Sequence, residues 1–574
     1  MNQRRSVILA QLPIPPAGLS PIVGNIPLAA GYLILHARQR GLEENYDLTI
    51  LPPAIANTYS ESGLVDELLA RDPWMVGFSC YLWNIDRTLW IARELKARRP
   101  DLLIVLGGPE ITSDNAWVLE SGLVDYAAVG EGEQTFSDLL STLISGSDSG
   151  QLIPGLWRAT NPQMPLFRKP LANLSEVSSP YLAGILNAAD ERMLLLETIR
   201  GCVFKCKFCY YPKSYDALYF VDEDKIIANL RHAREAGATE VVLLDPTLNQ
   251  RRDFDDFLRL LARENHDKQF TYFGELRAEG IKPETARLLR EANFSEVEIG
   301  LQSIDPAAQA LMDRRNNLKA FERGVGAMID AGIRVKVDLI IGLPGDTIAS
   351  IRRGFDYLAS NKMFTSTQVF NLAILPGTAF RQEAEQLGLK YQARPPYYVY
   401  ETPTLGTADL FTLMEDAQEA FESTWDDLPE PKLDFDVTPA QPLDLLRVDL
   451  DRDPMPAVPS GSQCAQAMAV WFSATDFGPH QPAMERTLEK ILDANPHSTL
   501  QVVLQPLGNH RSIAPKLLEG LLAVCYRNPN YLDRYYSLSP QGLMGSKRVV
   551  ITMAETDDDE WADAVLETAT LVEA

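Results

Sequence analysis

Short apolar runs alternate with amphipathic stretches through the first 150 residues of the chain. The runs are rich in β-branched residues, and helix-type periodicity separates them. Strands that alternate with helices predict an α/β domain with a doubly wound parallel sheet, which binds ligands outside the carboxyl ends of its strands. The five runs are Ser6–Gln11, Asp47–Leu51, Met75–Ser79, Leu102–Leu106 and Asp125–Val129.

A second alternating series lies between residues 190 and 400 and contains six strand-like runs. Six β-α repeats predict a partial (β/α)6 barrel, in which catalytic groups cluster at the carboxyl ends of the strands. The runs are Met193–Ile199, Glu240–Asp245, Phe270–Glu275, Ser295–Leu301, Arg334–Ile340 and Gln368–Ile374.

These patterns divide the chain into four predicted segments. Residues 1–150 form the first α/β domain, a Pro- and Gly-containing linker covers 151–189, and the barrel covers 190–400. Residues 401–574 contain an Asp- and Pro-rich stretch followed by a small α/β domain. We expect this C-terminal extension to cap the barrel and help select a substrate, since none of its residues has catalytic spacing.

Composition narrows the class of protein. The 574 residues are 46% hydrophobic, which supports sizeable cores, and the net charge of −25 argues against a nucleic-acid surface. No run reaches 18 apolar residues, so we expect no membrane span. The apolar stretch near the N-terminus is too short for a signal peptide, and we therefore predict a cytoplasmic protein.

Three of the six cysteines carry the strongest chemical signal. Cys202, Cys206 and Cys209 are spaced C-x3-C-x2-C behind the apolar run 193–198. Thiolates at this spacing can hold an iron–sulfur cube, and three ligands in place of four leave one iron open to a reacting molecule. The alternatives are three inert buried cysteines, a zinc site that lacks a nearby fourth ligand, and a disulfide, for which nothing indicates an oxidising compartment.

The segment from Glu197 to Tyr210, with Gly201 before the first cysteine and Phe208 before the third, resembles the signature of radical S-adenosylmethionine (SAM) enzymes. The resemblance implies a [4Fe-4S] cluster whose open iron is chelated by the amine and carboxylate of SAM. It also implies that an electron from the cluster splits SAM to give a 5′-deoxyadenosyl radical.

Later strand ends extend the resemblance in the order expected of that family. Glu298-Ile-Gly-Leu-Gln-Ser303 is similar to a family phrase whose side chains face SAM, and Arg314 fits the arginine that pairs with the SAM carboxylate. The SAM-binding residues that the resemblance implies are Phe208, Asp245, Glu275, Arg277, Glu298, Gln302, Ser303, Arg314 and Gly342.

The strand ends of the first domain resemble the Rossmann-like cobalamin-binding domain that precedes many radical SAM domains. There the serine after strand three and the Gly-Gly after strand four cradle the nucleotide tail of cobalamin. The cobalamin-binding residues implied here are Ser79, Tyr81, Trp83, Asn84, Gly107, Gly108, Pro109, Glu110, Gly130 and Gly132.

One departure concerns the face of cobalt that lies toward this domain. The usual motif Asp-x-His-x-x-Gly supplies a histidine after strand one, but the loop that begins at Leu12 has none. His36 falls in a predicted helix and is expected to pack or face solvent. If cobalamin binds, its lower face is not expected to be ligated by histidine. The other reading is a degenerate Rossmann domain without cobalamin.

The leading expectation is a cobalamin-dependent radical SAM enzyme, a class B methyltransferase acting on an unactivated carbon or phosphorus centre. An alternative is a radical SAM enzyme that performs cyclisation, rearrangement or oxidation without methyl transfer. A third possibility is a non-catalytic sensor or scaffold that bears a cluster. Expected partners are a small-molecule or peptide substrate and an electron donor such as flavodoxin or ferredoxin, with no nucleic acid and no membrane.

Overall fold

The computed structural model describes residues 4–144, 150–174, 179–211, 215, 217–436, 440–538, 545–553 and 559–573. By their internal contacts the residues divide into two compact units. The first unit contains residues 1–5, 26–50 and 105–425, and the second contains residues 6–25, 51–104 and 426–574. None of the helices formed by the described residues is both long and apolar enough to cross a membrane.

The N-terminal strands are hydrogen-bonded in the order β2-β1-β3-β4-β5-β6. β1 pairs with β3 in parallel, β4 pairs with β5 in parallel, and β6 is antiparallel to β5. This confirms the predicted α/β fold class, while β6 lies in the segment expected to be a linker. The strands are β1 (Arg5–Gln11), β2 (Tyr46–Ile50), β3 (Met75–Ser79), β4 (Leu103–Gly107), β5 (Tyr126–Ala128) and β6 (Leu156–Arg158).

The helices between these strands follow the predicted periodicity. The Ser60 hydroxyl caps the third helix by accepting a hydrogen bond from the Gly63 amide, as expected of serine at an N-cap. The helices are α1 (Leu28–Gln39), α2 (Pro53–Thr58), α3 (Glu61–Ala70), α4 (Ile85–Arg98), α5 (Ala116–Leu119) and α6 (Glu133–Leu143).

A six-stranded parallel sheet in sequential order forms the partial barrel of the first unit. Its strands are β7 (Met193–Leu196), β10 (Glu240–Leu243), β11 (Thr271–Leu276), β12 (Phe294–Gln302), β13 (Arg334–Ile341) and β14 (Ser366–Asn371). Two short antiparallel pairs flank it, namely β8 (Ile199–Arg200) with β9 (Tyr219–Phe220) and β15 (Lys390–Tyr391) with β16 (Val399–Glu401).

The barrel helices bury their apolar faces against this sheet. They are α7 (Glu223–Glu235), α8 (Phe254–Glu264), α9 (Pro283–Ala292), α10 (Pro306–Leu311), α11 (Leu318–Asp330), α12 (Ile348–Asn361), α13 (Ala379–Glu383) and α14 (Thr407–Phe421). Leu410, Leu413 and Phe421 of α14 belong to the barrel core. The Trp425 indole donates to the Thr367 carbonyl at 2.6 Å. The barrel core therefore continues past the predicted boundary at residue 400.

The C-terminal domain in the second unit is a parallel five-stranded sheet in sequential order. Its strands are β17 (Leu443–Asp449), β18 (Cys464–Ala474), β19 (Thr499–Pro506), β20 (Lys547–Met553) and β21 (Thr570–Glu573). Its helices are α15 (Gln481–Ala494), α16 (Pro515–Cys525), α17 (Tyr531–Tyr535) and α18 (Asp559–Leu566).

Candidate functional site

A cavity of about 150 Å³ in the first unit brings together the three cysteines of the C-x3-C-x2-C segment. Strand ends β10 to β13 supply most of the other walls. The remaining lining residues are Phe204, Phe208, Tyr211, Pro246, Thr247, Glu275, Leu276, Arg277, Glu298, Gly300, Gln302, Arg314 and Asp338. The parallel sheet therefore gathers side chains that are far apart in sequence around one thiol-bearing loop.

The cysteine loop has a fixed entry point at Gly201. Its φ of +99° is in the left-handed region, and a Cβ there would lie 2.3 Å from the Ala217 carbonyl oxygen. The Gln250 amide donates to the Gly201 carbonyl at 3.1 Å and accepts from the Val203 amide at 3.0 Å. Only glycine fits this turn, and a side chain outside the loop holds it on both sides.

The thiols of the cavity do not form a site for a single ion. All six cysteines are free. Within the described part of the chain, no three His, Cys, Asp or Glu side chains converge closely enough to hold one metal ion. Zinc requires ligands about 2.0–2.3 Å from one centre, whereas an iron–sulfur cube binds each thiolate on a different iron. This arrangement disfavours the zinc alternative, and all three cysteines line one cavity, as the ligands of one cube must.

The thiol of Cys209 needs a cation to become a ligand. Burial raises its pKa to about 11, so at neutral pH it is a thiol. A bound metal deprotonates a coordinating thiol outright. The donor set therefore suits a cluster whose iron supplies the compensating charge.

Three polar atoms of the cavity are buried without a hydrogen-bond partner. They are Oε1 of Gln302, Nε of Arg314 and Oδ1 of Asp338. A buried polar atom without a partner costs about 1–3 kcal/mol. Unpaired acceptors indicate a ligand that carries hydroxyl or amine donors. The unpaired arginine donor indicates that the same ligand also carries an anionic group.

Backbone geometry presents Gln302 and Arg314 to the cavity. Gln302 has a φ of +67°, and a Cβ on Gly300 would lie 2.1 Å from its Nε2 atom. The Arg314 guanidinium donates to the Gly300 carbonyl and lies 3.8 Å from Sγ of Cys206. The absent side chain of Gly300 therefore makes room for both polar groups beside the thiols.

Three carboxyl groups and one lysine lie close together on β11, β12 and β13. Glu275, Glu298 and Lys336 are register partners on β11, β12 and β13, and Lys336 donates to Glu298 at 3.1 Å. Desolvation, with the neighbouring Glu298 charge, raises the pKa of Glu275 to about 7 and that of Asp338 to about 9. At neutral pH Asp338 is protonated and can donate a hydrogen bond as well as accept one.

The structure divides the predicted SAM-binding residues into two groups. Phe208, Glu275, Arg277, Glu298, Gln302 and Arg314 line the cavity, whereas Asp245, Ser303 and Gly342 do not. Asp245 is 1% exposed and accepts from the Thr198 and Ile199 amides at 2.7 and 2.9 Å, so it anchors the strand before the cysteine loop.

The other two residues outside the cavity also have structural partners. The Ser303 hydroxyl donates to Asp346 at 3.3 Å, and Gly342 has a φ of +92° beside Leu410. Seven lining residues were not predicted from the sequence, namely Phe204, Tyr211, Pro246, Thr247, Leu276, Gly300 and Asp338. Thr247 lies in the loop after β10, so the strand-end rule could have identified it, whereas Asp338 lies in the middle of β13.

An ion-pair network joins the cysteine loop to the loop after β5. Arg200, two residues before Cys202, pairs with Glu131 and Glu133 at 2.9 Å each. Its Nε also pairs with Glu197 at 2.9 Å. Glu131 and Glu133 adjoin the predicted cobalamin residues Gly130 and Gly132, so this buried network fixes one loop against the other.

Glu110 has a similar anchoring position. The family resemblance implies that Glu110 contacts cobalamin, but its side chain is only 1% exposed. Its carboxylate accepts from the Tyr397 hydroxyl at 2.6 Å and from the Asn115 amide at 2.8 Å. Burial and the Glu110 charge raise the pKa of Tyr397, which keeps its hydroxyl protonated as the donor. Glu110 therefore ties the loop after β4 to the barrel and is not free for a ligand.

The glycines of these loops leave open space. Gly108 and Gly130 have φ values of +106° and +85°. A Cβ on Gly130 would meet nothing within 4 Å, and one on Gly107 would meet only Ala128 at 3.9 Å. Gly132 differs, because a Cβ there would lie 2.9 Å from Leu33. Gly107 and Gly130 can therefore admit a ligand that approaches the backbone, and Pro109 nearby is half-buried.

In the second unit, the loops after β1 and β3 are joined by Asn84. Its Nδ2 donates to the carbonyls of Leu12 and Ser79 at 3.0 and 3.1 Å, and its Oδ1 accepts from the Tyr81 amide at 2.8 Å. The rings of Tyr81 and Trp83 stack with centroids 4.5 Å apart. Asn84 is therefore a loop brace, while Ser79, Tyr81 and Trp83 remain half-buried.

His36, the only histidine of the predicted first domain, is engaged within the first unit. Its Nδ1 lies 2.8 Å from the Ser137 hydroxyl on α6. This agrees with the expectation that His36 packs in a helix.

Comparison with known proteins adds two domain matches. Residues 196–358 match the Radical SAM superfamily, and residues 26–140 match the B12 binding domain. These ranges contain all three cysteines and the loops after β3, β4 and β5, where the predicted cobalamin residues lie. They do not include the loop after β1.

Two curated relatives are methyltransferases. The chain is 27% identical over 434 residues to the cobalamin-dependent radical SAM methyltransferase TokK of Streptomyces tokunonensis, covering 69% of this chain and 59% of that protein. It is 25% identical over 424 residues to the 2-(S-pantetheinyl)-carbapenam-3-carboxylate methyltransferase of Streptantibioticus cattleyicolor, covering 67% of this chain and 58% of that protein. The chain thus spans less than two thirds of these relatives.

A solved structure supports the fold. The radical SAM methyltransferase TsrM of Kitasatospora setae, with cobalamin and a [4Fe-4S] cluster bound, superimposes with a TM-score of 0.53. The match covers 71% of this chain and 81% of that chain at 18% identity.

Proposed function

This chain carries a radical SAM domain and a B12-binding domain, and on that premise we propose that it is a cobalamin-dependent radical SAM methyltransferase. The proposed reaction is methyl transfer to an unactivated carbon or phosphorus centre. The observation that carries the proposal is the cavity in which three free cysteines face buried polar atoms without partners. When bound, the cluster with SAM supplies an organic radical, and cobalamin supplies a transferable methyl group.

The cavity residues have distinct proposed roles. Cys202, Cys206 and Cys209 hold the cluster. Arg314 binds the carboxylate of SAM, because a guanidinium suits an anionic, planar partner. Gln302 and Asp338 accept or donate hydrogen bonds to its hydroxyl groups, since both carry buried atoms that lack partners.

Apolar and aromatic residues complete the proposed cavity. Phe204, Phe208 and Leu276 line it and exclude water from the reacting atoms. Arg277 lies over the Phe204 ring at 4.3 Å and pairs with Glu279 at 2.7 Å. We therefore propose that Arg277 mainly holds the Phe204 ring in place and contributes less to binding SAM.

A second candidate is a radical SAM enzyme that performs cyclisation, rearrangement or oxidation without methyl transfer. The observation that favours it is the loop after β1, which contains no histidine and whose Leu12 carbonyl is already bonded to Asn84. For either candidate we propose a cytoplasmic enzyme that acts on a small molecule or a peptide. We also propose reduction by a flavodoxin or ferredoxin.

The test is product analysis on anaerobically reconstituted protein. With dithionite and methyl-labelled SAM, we expect 5′-deoxyadenosine in the wild-type protein and none in Cys202→Ala. Cys464→Ala, which changes a buried cysteine of the C-terminal domain, is the matched control and should retain the product. Transfer of label to added hydroxocobalamin supports methyl transfer, and 5′-deoxyadenosine without methylated cobalamin supports the second candidate. No SAM cleavage by cluster-loaded wild-type protein contradicts both.

A further inference from the structure

The strand order of the N-terminal sheet locates a ligand crevice. From β1 the chain moves to β2 on one side and then to β3 on the other. Open α/β sheets bind ligands at such a switch point, outside the carboxyl ends of the two central strands. β1 and β3 end in register at Gln11 and Ser79, so the crevice is bounded by the loops 12–25 and 80–84.

The C-terminal domain contacts the first of these loops. The Thr499 hydroxyl at the start of β19 donates to the Pro16 carbonyl at 2.6 Å. A Cβ on Gly18 would lie 2.4 Å from Cγ of Pro429, so the two residues are in close contact. The loop that lacks a histidine is therefore held by residues more than 400 positions away in sequence.

The second loop is contacted by the same part of the C-terminal domain. Leu82, Trp83 and Ala17 pack in one apolar cluster with Tyr531 and Tyr536 of the α17 region. Arg534, on the same helix, forms an ion pair with Asp86 in the first turn of α4. Both are at most 20% exposed, so solvent screens the pair less than a surface one.

Tyr535 joins this cluster to the segment that leads into the C-terminal domain. Its hydroxyl donates to Asp426 at 2.6 Å, and its ring lies 5.3 Å from that of Tyr536. Residues 426–429 and α17 thus form one surface, which we call the tyrosine wall, with contacts to both crevice loops.

We propose that the tyrosine wall is part of the corrinoid-binding site and positions the two crevice loops for the cofactor. The proposal rests on the proposed function, because it requires that cobalamin binds the N-terminal domain. A histidine ligand would hold the loop after β1 through the metal, and here no histidine is present in that loop. Packing by the C-terminal domain replaces that constraint, and a preorganised loop binds more tightly than one that must be ordered on binding.

Two variants remove contacts of the wall without touching the crevice itself. Arg534→Gln breaks the pair with Asp86, and Tyr535→Ala removes the ring and its hydrogen bond to Asp426. Arg527→Gln is the matched control, because Arg527 pairs with Glu489 inside the C-terminal domain at 2.5 Å. Arg534→Lys keeps the charge and serves as the conservative rescue.

The readouts are the Kd for hydroxocobalamin by absorbance titration, the iron content, and hydrogen exchange of residues 12–25 in cobalamin-free protein. We expect Arg534→Gln and Tyr535→Ala to raise Kd by about 10-fold or more, the size of one lost charged contact. Iron should remain at the wild-type level, and exchange in the loop should be faster. Arg527→Gln should match the wild-type protein, and Arg534→Lys should recover part of the affinity.

The outcomes separate this inference from the proposed function. Unchanged Kd and unchanged loop exchange in both variants overturn the inference while leaving cobalamin binding in place. A wild-type protein that takes up no cobalamin overturns the proposed function and this inference with it. Equal losses in Arg527→Gln would show a general effect on the C-terminal domain and also overturn the assignment.

Discussion

The cysteine cavity of the barrel and the crevice of the N-terminal sheet satisfy their polar groups in opposite ways. In the cavity, atoms of Gln302, Arg314 and Asp338 are buried without partners. In the crevice, Asn84 is fully buried and its amide group bonds to three backbone groups of the two loops. The predicted ligand residues of the cavity therefore have polar atoms available to a ligand, whereas Asn84 of the crevice stabilises the loops.

This contrast shows how a polar residue in a motif shared with a known family should be interpreted. Where a polar atom is buried and unsatisfied, the protein bears a cost that a ligand can remove. Where the same kind of side chain already has all its partners, it stabilises the loop whether or not a ligand is present. Gln302 belongs to the first kind, and Asn84 and Glu110 to the second.

The largest expected effect is on the thiols of the cavity. Cys202→Ala, Cys206→Ala or Cys209→Ala should reduce iron from about four atoms per chain to near zero, since three thiolates are the whole protein ligand set of the cube. Anaerobic iron and sulfide assays measure the change. Cys525→Ala, in the core of the C-terminal domain, is the control. Full iron content in any of the three variants would show that the substituted cysteine is not a ligand of the cluster.

A second prediction separates two arginines of the same cavity. Arg314→Lys should weaken SAM binding by about 10-fold to 100-fold, because lysine keeps the charge but lacks the planar guanidinium and its unpaired Nε donor. Arg277→Lys should weaken it by less, since that guanidinium is already bonded to Glu279 and to the Arg315 carbonyl. Equilibrium binding of SAM to cluster-loaded protein gives both values. Equal losses in the two variants would contradict the distinction.

A third prediction compares the contributions of two side-chain amides, those of Asn84 and Gln302, to the free energy of unfolding. Asn84→Ala should lower the free energy of unfolding by about 2–3 kcal/mol, because it leaves buried backbone groups without partners. Gln302→Ala should change the stability of the cofactor-free protein by less than about 1 kcal/mol, since its Oε1 has no bond to lose. Denaturant unfolding of each variant measures this. A larger loss of unfolding free energy in Gln302→Ala than in Asn84→Ala would contradict the distinction between the two residues.

The smallest expected effect concerns the pH dependence of the free energy of unfolding. Burial, with the Glu298 charge, raises the pKa of Asp338 to about 9, above the ~3.9 of an unfolded aspartate. Between these values the folded protein holds a proton that the unfolded chain releases, so stability falls as pH rises. The slope is at most about 1.4 kcal/mol per pH unit.

Asp338→Asn should flatten this slope between pH 7 and 9 in cofactor-free protein. Asp346→Asn is the control, because burial raises the pKa of Asp346 only to about 6, and its effect is complete below that range. A wild-type stability that does not fall between pH 7 and 9 would show that Asp338 is ionised there.

Periodicity predicted the barrel strands well because buried apolar residues alternate with partly exposed ones along them, as Val297, Ile299 and Leu301 do in β12. The three cysteines could be read from spacing alone, since a loop keeps neighbours in sequence close in space. The extension of the barrel core to Trp425 and the contact of Thr499 with Pro16 could not be predicted this way. Both depend on packing between residues distant in sequence, which no local pattern records.

The predicted ligand residues divide along the same line. Glu275 was predicted from its position near a strand end, and Glu298, Gln302 and Arg314 from the family resemblance; the structure places all four in the lining of the cavity. Strand-end position could not show that Asp245 and Glu110 are occupied by bonds to other loops, because a carboxylate at a strand end looks the same in sequence whether it faces a ligand or an amide.

The most direct test of the account is metal quantitation on protein purified anaerobically with added hydroxocobalamin. Iron, sulfide and cobalt should be measured on one sample of the full chain. We predict about four irons and about one cobalt per chain. Four irons without cobalt would contradict the assignment of a functional corrinoid site, and absence of iron would contradict the cluster on which the whole account depends.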